Sequence, residues 1–221
     1  MSVILRQFES PESLNSEVAD CLAGYFRMTG PGGVMLSGGR TPVAAYDLVC
    51  RRGIEAGDGL TILYSDERNV PFDSPDSNYG STMPLIRSLG VPATRVIRVR
   101  TEIGWRESAD RYDHDIRGFL ASERGIKLGL LGLGIDGHTA SLFSPDDVAA
   151  CKGRYAVAIA REQKPDRVSV TPDLMRRIER IIILAAGQEK RAIVEKLIRH
   201  PDQVVAGLAL NGLPAVEIWQ A

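Results

Sequence analysis

The 221-residue sequence predicts an α/β protein, with a single-domain, open, mainly parallel sheet that carries helices on both faces. Two observations support this fold class. Short runs of β-branched and other apolar residues alternate along the chain with segments whose apolar residues recur at helical spacing. Alternation of this kind favours parallel strands joined by helices. Since no internal repeat, low-complexity tract or linker divides the chain, we expect one domain over residues 1–221.

The predicted elements follow one another in a regular order. Ser10 is suited to cap a first helix that begins at Pro11 and continues to Phe26. Another helix opens at Thr41-Pro42, and two more are predicted over residues 105–122 and 188–199. Strands are predicted over residues 34–36, 60–64, 96–99, 126–133, 155–160 and 181–185. In sheets of this kind ligands bind beyond the carboxyl ends of the strands, so functional residues are sought there.

Composition excludes several classes of protein. The chain has 27 basic and 28 acidic side chains and a formal net charge of −1, so it lacks the basic excess of a typical nucleic-acid binder. No apolar run approaches the ~18 residues of a membrane helix, and charged residues appear too early for a secretory leader. We therefore expect a cytoplasmic protein with neither nucleic-acid nor membrane partners. The three cysteines are far apart, without a C-x-x-C pair, so neither a disulfide framework nor a zinc site is expected.

A glycine turn follows the strand predicted at residues 34–36. Residues 36–42 read Leu-Ser-Gly-Gly-Arg-Thr-Pro, which places Gly38 and Gly39 between a strand and a helix start. Paired glycines let backbone amides approach an anion closely, and a helix N-terminus adds a partial positive charge. One interpretation is a phosphate site formed by Gly38, Gly39, Arg40 and Thr41. A plain strand-to-helix turn is the other.

A cluster of charged and amide side chains follows the strand predicted at residues 60–64. Residues 65–71 read Ser-Asp-Glu-Arg-Asn-Val-Pro, and Asn78 comes shortly afterwards. Asp66 and Asn78 offer partners for sugar hydroxyls, and Arg68 offers a clamp for an anion. Such a set suits a polyol phosphate. A solvated acidic loop with a local ion pair explains the same residues.

The third segment, residues 131–143, reads Leu-Gly-Leu-Gly-Ile-Asp-Gly-His-Thr-Ala-Ser-Leu-Phe. Its glycines satisfy the G-x-G-x-x-G dinucleotide fingerprint, but that fingerprint also needs an acidic residue about 20 positions further on. Residues 152–157 read Lys-Gly-Arg-Tyr-Ala-Val and supply none. The turn instead presents His138, a residue of the general-base type, with the Asp136 carboxylate two positions away.

His138 is the strongest candidate for a general base among the three histidines. His114 lies in a charged helix and His200 precedes Pro201 at a helix end, which are ordinary structural settings. The chain has no G-x-S-x-G nucleophile elbow and no H-E-x-x-H zinc helix. Position and elimination therefore both favour the general-base interpretation of His138.

Two further basic residues follow late strands. Arg167 precedes a short apolar run, and Lys190 lies in the first turn of the predicted helix at residues 188–199. A lysine at that position is mildly unfavourable for the helix dipole, which an anionic ligand would offset. A solvated surface lysine explains Lys190 equally well.

Taken together, four segments resemble the 6-phosphogluconolactonase family in their order and spacing: residues 36–42, residues 66–71 with 76–78, residues 132–143 and residues 187–190. The resemblance runs from about residue 34 to 195. It implies a Rossmann-like fold shared with sugar-phosphate isomerases, and a monomer or small homo-oligomer without metal or cofactor. The implied activity is hydrolysis of 6-phospho-D-glucono-1,5-lactone in the oxidative pentose phosphate pathway. Arg40 stands where that family usually has serine, and Ser144 where proline is usual.

The resemblance also implies roles for individual residues. His138 would be the general base that activates water, and Asp136 would hold its imidazole or a sugar hydroxyl. The phosphate would lie between the amides of the glycine turn, Lys190 and one or both of Arg68 and Arg167. Asp66 would accept hydrogen bonds from sugar hydroxyls. Three further residues, Arg40, Thr41 and Asn78, complete the expected substrate-binding set, although Arg40 could equally point to solvent.

Two alternative functions remain open on the sequence. Amino-sugar-phosphate deaminases share the aspartate-glycine-histidine segment, but they place a second carboxylate five residues after the histidine, where Phe143 stands here. They also have Asp-Glu-Tyr where this chain has Asp-Glu-Arg. A non-catalytic sugar-phosphate sensor is the other alternative, although one α/β domain leaves little room in 221 residues for a DNA-binding segment.

Overall fold

The computed structural model describes residues 2–122 and 124–221. Within them, strands are formed by β1 (Ser2–Gln7), β2 (Gly32–Leu36), β3 (Leu60–Tyr64), β4 (Asp66–Arg68), β5 (Gly125–Gly132), β6 (Ala156–Ile159), β7 (Arg167–Val170), β8 (Ile181–Ala185) and β9 (Ala215–Gln220). Helices are formed by α1 (Pro11–Phe26), α2 (Arg40–Arg51), α3 (Asn78–Leu89), α4 (Trp105–Ala121), α5 (Pro145–Ala150), α6 (Pro172–Met175), α7 (Arg191–Arg199) and α8 (Val205–Ala209). Short 3-10 turns cover Ala93–Arg95, Gln188–Lys190 and Pro201–Gln203.

The main sheet has six strands in the order β1-β9-β8-β5-β2-β3. Every neighbouring pair in it is parallel. Strands β2 and β8 in the interior of the sheet and β3 at its edge are buried along their whole length, because helices cover both faces of the sheet. The predicted fold class is therefore confirmed.

Each face of the main sheet has its own apolar core. One core joins α1, α2 and α3 to the sheet, with Leu22, Tyr46 and Leu85 among its buried residues. The other joins α4 and α7 to the opposite face. Burial of this kind stabilises a fold by roughly 25 cal/mol per Å² of apolar surface. The loops that connect strands to helices are thereby held between two rigid layers.

A second, antiparallel sheet in the order β4-β7-β6 lies at the carboxyl end of β3. The chain passes from β3 to β4 through the single residue Ser65, which connects the two sheets. The Ser65 amide donates to the Leu36 carbonyl of β2 at 2.8 Å, and the Ser65 carbonyl accepts from the Val170 amide of β7 at 2.9 Å. The small sheet is thus fixed directly beside the edge where ligands were expected.

Several predicted elements differ from the structure. Residues 96–99 do not form a strand: Val96 makes only an isolated bridge to Ile62 of β3. The strand predicted at 155–160 exists as β6, but it belongs to the antiparallel sheet. The helix predicted at 188–199 is a 3-10 turn followed by α7.

The first predicted helix is confirmed as α1. Ser10 caps it with a reciprocal capping box to Ser13, and Pro11 occupies its first turn. Among the described residues, no helix is both long and apolar enough to cross a membrane.

Candidate active site

The loops that follow β2, β3 and β5 meet at the carboxyl edge of the main sheet and surround a cavity of about 200 Å³. Lys190, in the turn before α7, borders the cavity on the side of β8. The cavity is lined by Ser37, Gly38, Asp66, Arg68, Asn78, Gly132, Leu133, Gly134, His138, Ala140 and Lys190. All three segments that the sequence singled out therefore contribute to one cavity.

The glycine turn is shaped by its neighbours. Gly39 has φ of 104° at the N-cap of α2, a conformation that favours glycine. A Cβ on Gly38 would lie 1.8 Å from Asn78 Oδ1, so only glycine fits there. The Tyr46 hydroxyl donates to the Ser37 carbonyl at 2.8 Å and anchors the turn from α2. Sequence reasoning missed Tyr46, which offered only an apolar helical position.

Asp66 lies at the centre of a buried hydrogen-bond network and is only 7% exposed. Its carboxylate accepts from Ser65 Oγ at 2.8 Å and from Ser141 Oγ at 2.7 Å. Asn78 Nδ2 donates to the Asp66 carbonyl at 2.9 Å. Because Ser141 follows His138 on the β5 loop, this network joins the second and third sequence segments. The interpretation of Asp66 as part of a solvated loop is wrong.

Glu67 points away from the cavity and holds the N-terminus of α3. Its carboxylate accepts from the amides of Arg68, Asn78 and Tyr79 at 2.7–2.8 Å and from Ser77 Oγ at 3.1 Å. Burial raises the pKa of Glu67, and the backbone donors act against that rise. Glu67 is therefore a structural residue that positions Asn78.

The His138 imidazole is held by Asp136. His138 Nδ1 lies 2.6 Å from Asp136 Oδ1, and the His138 amide donates to the same oxygen at 3.2 Å. Burial alone would raise the pKa of Asp136, but the hydrogen bonds from His138 outweigh it and lower that pKa. A Cβ on Gly134 would lie 2.2 Å from His138 Nδ1, and Gly137 has φ of 88°. Both glycines are thus required by the turn that carries the pair.

An aromatic ring packs against the His138 imidazole. The Phe143 and His138 ring centres are 4.6 Å apart, with the planes tilted by 42°. The guanidinium carbon of Arg161 lies 3.5 Å from the centre of the Phe143 ring. Arg161 follows β6, and sequence reasoning missed it because it opens a polar loop without a recognisable motif.

Lys190 approaches the cavity from the turn after β8. Its Nζ donates to the Leu133 carbonyl, at the end of β5. Burial lowers the pKa of Lys190, Glu189 acts in the opposite direction, and Arg40 lowers it further. The interpretation of Lys190 as a solvated surface residue is wrong.

Arg68 and Arg167 face each other across the antiparallel pair β4 and β7. Arg68 Nη1 donates to the Asp76 carbonyl at 2.7 Å, while Arg68 Nε is buried without a hydrogen-bond partner. Burial lowers the pKa of Arg167, and the nearby Arg68 cation contributes to that shift. Like charges directly opposite each other destabilise a sheet, and an anion bound between them would remove that repulsion.

The predicted site residues divide into two groups. Six of them line the cavity: Gly38, Asp66, Arg68, Asn78, His138 and Lys190. The others lie around it, with Asp136 behind the imidazole, Arg167 beside Arg68, and Gly39, Arg40 and Thr41 at the start of α2. In the described part of the chain, no group of three or more His, Cys, Asp or Glu side chains is arranged to hold a metal ion.

The sequence profile of the family described as glucosamine-6-phosphate isomerases/6-phosphogluconolactonase matches residues 7–216. The chain belongs to this family. A 6-phosphogluconolactonase from Synechocystis is 31% identical over 168 residues, which cover 73% of this chain and 69% of that protein. The human 6-phosphogluconolactonase is 29% identical over 160 residues, covering 70% of this chain but only 59% of the human protein.

A solved structure of 6-phosphogluconolactonase from Trypanosoma cruzi matches this chain over nearly its whole length. Its TM-score is 0.80 at 26% identity, and the match covers 99% of this chain and 94% of that one. The predicted family is therefore confirmed. Since the family description includes both isomerases and lactonases, the residues of the site have to separate the two chemistries.

Proposed function

We propose that this chain hydrolyses 6-phospho-D-glucono-1,5-lactone to 6-phospho-D-gluconate in the oxidative pentose phosphate pathway, with His138 as the general base. The proposal depends above all on the 2.6 Å contact between His138 Nδ1 and Asp136 Oδ1 at a cavity that also presents Lys190 and Arg68. A base and a set of cations in one small cavity suit a phosphorylated substrate that is attacked by water.

The Asp136 contact determines which imidazole nitrogen acts. An ionised carboxylate only accepts hydrogen bonds, and the lowered pKa keeps Asp136 ionised at neutral pH. His138 Nδ1 therefore carries the proton and donates it to Asp136. The lone pair remains on Nε2, which is the nitrogen able to take a proton from water.

The reaction then follows in two steps. His138 Nε2 removes a proton from water while the water oxygen bonds to C1 of the lactone, which gives a tetrahedral intermediate. The bond between C1 and the ring oxygen breaks, and His138 returns the proton to that oxygen, which becomes the C5 hydroxyl. The remaining product group at C1 is a carboxylic acid, which ionises at neutral pH.

Substrate binding is divided among the surrounding groups. The phosphate lies against the amides of Gly38 and Gly39 and the N-terminus of the 12-residue helix α2, with Lys190 as its counter-ion. Arg40, which is close enough to lower the pKa of Lys190, adds positive charge there. Asp66 and Asn78 bind sugar hydroxyls. One or both of Arg68 and Arg167 complete the anion site, at about 1.5–3 kcal/mol for each charged hydrogen bond.

The deaminase alternative is disfavoured by the contents of the site. Ring opening by the related deaminases uses a second carboxylate five residues after the histidine, and here that position is Phe143, packed on the imidazole. Among the described residues that line the cavity, Asp66 is the one acidic side chain, so the cavity lining offers no second carboxylate for ring opening.

The experiment is a continuous assay of acid release from freshly generated lactone, corrected for spontaneous hydrolysis. His138→Ala is expected to lower kcat by at least ~10²-fold, since a positioned general base contributes ~10²–10⁴. His114→Ala, in the middle of α4, is the matched control and should retain wild-type kcat.

Three outcomes would contradict the proposal. Wild-type kcat in His138→Ala would remove the general-base role. Release of ammonia from glucosamine 6-phosphate would favour the deaminase. Binding of phosphogluconate by the wild type without any turnover of lactone would favour a sensor.

A further inference from the structure

Arg161 extends the site on the side of the general base. Its guanidinium lies over Phe143 at 3.5 Å, and the same ring packs against His138 at 4.6 Å. Stacking of a guanidinium on an aromatic face fixes the plane of its donors, so they are presented in a defined direction. Arg161 does not line the cavity itself; it contacts the ring that packs against the proposed general base.

The backbone of Arg161 is fixed as well. Its amide donates to Asp166 Oδ1 at 2.9 Å, and Lys164 holds both oxygens of that carboxylate at 2.7 and 2.8 Å. The polar loop after β6 is therefore closed on itself by Asp166. Since Asp166 is occupied by these two donors, it leaves the Arg161 guanidinium free for another partner.

The cations on this side of the cavity have no direct ion-pair partner among the described residues. In residues 2–122 and 124–221, no carboxylate lies within ion-pair distance of the guanidinium groups of Arg68, Arg161 or Arg167. Arg68 and Arg167 donate to backbone carbonyls, and Arg68 Nε is buried without a partner. The Arg161 cation is also near enough to lower the pKa of Arg167. Three arginines without a direct ion-pair partner thus lie together, although the Asp66 and Asp76 carboxylates are near enough to raise the pKa of Arg167.

The cavity therefore has two basic groups. Lys190 and Arg40 lie at the glycine turn and the start of α2, whereas the three arginines lie at the small antiparallel sheet. The lactone carries one anion, the phosphate at C6. Hydrolysis creates a second one at C1, the opposite end of the six-carbon chain. Since Arg68 and Arg167 are assigned to the phosphate in the proposed function, Arg161 is the cation on the side of the general base that matches this second charge.

We propose that Arg161, held flat by Phe143, binds the carboxylate that forms at C1 and stabilises the negative oxygen that precedes it. The inference rests on the proposed hydrolysis and adds a substrate-binding residue at the reacting end. Arg161 thereby favours the species that carry negative charge at C1, which are the tetrahedral intermediate and the product.

The test compares two ligands of equal length by isothermal titration calorimetry at pH 7.5 and fixed salt. The first is 6-phosphogluconate, and the second is sorbitol 6-phosphate, which has an alcohol in place of the carboxylate. In Arg161→Leu we expect the dissociation constant of 6-phosphogluconate to rise at least about tenfold, because a charged hydrogen bond is lost. The constant of sorbitol 6-phosphate should change less than about twofold.

Arg87→Leu is the matched control, since it removes one exposed arginine at the end of α3 away from Asn78, and both constants should stay as in the wild type. Equal weakening of both ligands in Arg161→Leu would assign Arg161 to the phosphate and overturn the inference. Unchanged binding of both would overturn it too. Should Arg161→Leu fail to fold by circular dichroism, Arg161→Gln is measured against the same two criteria.

Lactone hydrolysis by the wild type is measured on the same preparation. Absence of turnover would remove the proposed function, whereas normal turnover with unselective binding in the Arg161 variant would remove this inference alone.

Discussion

At the scale of single residues, what each side chain of the candidate site can do depends on which atoms the fold places beside it. The Asp136–His138 pair could be identified from residue types and spacing, because a carboxylate two positions from a histidine after a buried strand indicates base chemistry. Which ring nitrogen lies against Asp136 could not be identified, since the contact through Nδ1 depends on the turn at Gly137 and on the space that Gly134 leaves.

Arg161, in contrast to the Asp136–His138 pair, could not be identified from the sequence. Its neighbours in sequence are exposed polar residues, so the pattern indicates only a loop. The contact with Phe143 joins residues 18 positions apart in different elements, and no local periodicity predicts such a contact.

Lys190 supports a prediction about pH. A lysine is charged below its pKa, and burial lowers that pKa, so Lys190 should lose its charge at a lower pH than the ordinary ~10.4. We expect the affinity for 6-phosphogluconate, measured by calorimetry from pH 7 to 10, to fall with an inflection below that value. Lys190→Met, which is never charged, should bind more weakly and lack the inflection. The same alkaline fall in both proteins would show that another group is responsible.

At the scale of elements, α3 depends on a buried carboxylate. Glu67 accepts three backbone amides and one hydroxyl, which satisfies the first amides of the helix. In Glu67→Gln the side-chain amide has one accepting oxygen where the carboxylate has two. Its NH2 group then faces a group that had donated a hydrogen bond to the lost oxygen. The free energy of unfolding should fall by about 1–3 kcal/mol, as measured by urea titration.

The control for that measurement is Glu55→Gln, since Glu55 is exposed. It should change the free energy of unfolding by less than about 0.5 kcal/mol. A loss of the same small size in Glu67→Gln would show that the carboxylate does not stabilise α3.

The elements also show why the sequence predicts some strands and not others. The buried strands β2, β3, β5 and β8 are continuous apolar runs and were predicted. Residues 96–99 are also mostly apolar, apart from Arg98, but they follow a 3-10 turn and touch β3 at one bridge only, so tertiary packing overrides propensity. The outer strand β1 was missed because its side chains are largely exposed and carry no alternation.

At the scale of the whole molecule, the order of strands makes the late strand β9 essential to the sheet. Strand β9 lies between β1 and β8, and Val216, Ile218 and Trp219 are buried in it. The alternation of secondary structure predicted the parallel sheet, but it could not give this order, because β1 and β9 meet through contacts between opposite ends of the sequence.

A chain that ends at Pro214 is therefore expected not to fold. It loses the hydrogen bonds that β9 makes to both neighbours and exposes the apolar surface beneath them. Circular dichroism during a urea titration should show no cooperative transition. Removal of residues 2–7 is the control, and because β1 is a largely exposed edge strand it should leave a cooperative transition at lower urea. Wild-type behaviour of the shortened C-terminus would contradict the role given to β9.

Within the described sheet β1 pairs with β9 and with no other strand. This pairing affects when β1 can join the sheet during synthesis. Ser2 pairs with Ala215, so the first strand leaves the ribosome long before its partner exists. At about 5–20 residues per second, synthesis of the intervening chain takes roughly 10–40 s. During that time Ile4 and Leu5 have no strand beside them, whereas β2, β3, β5 and β8 are already complete. The strands whose carboxyl ends border the cavity can therefore pair before β1 gains its partner β9.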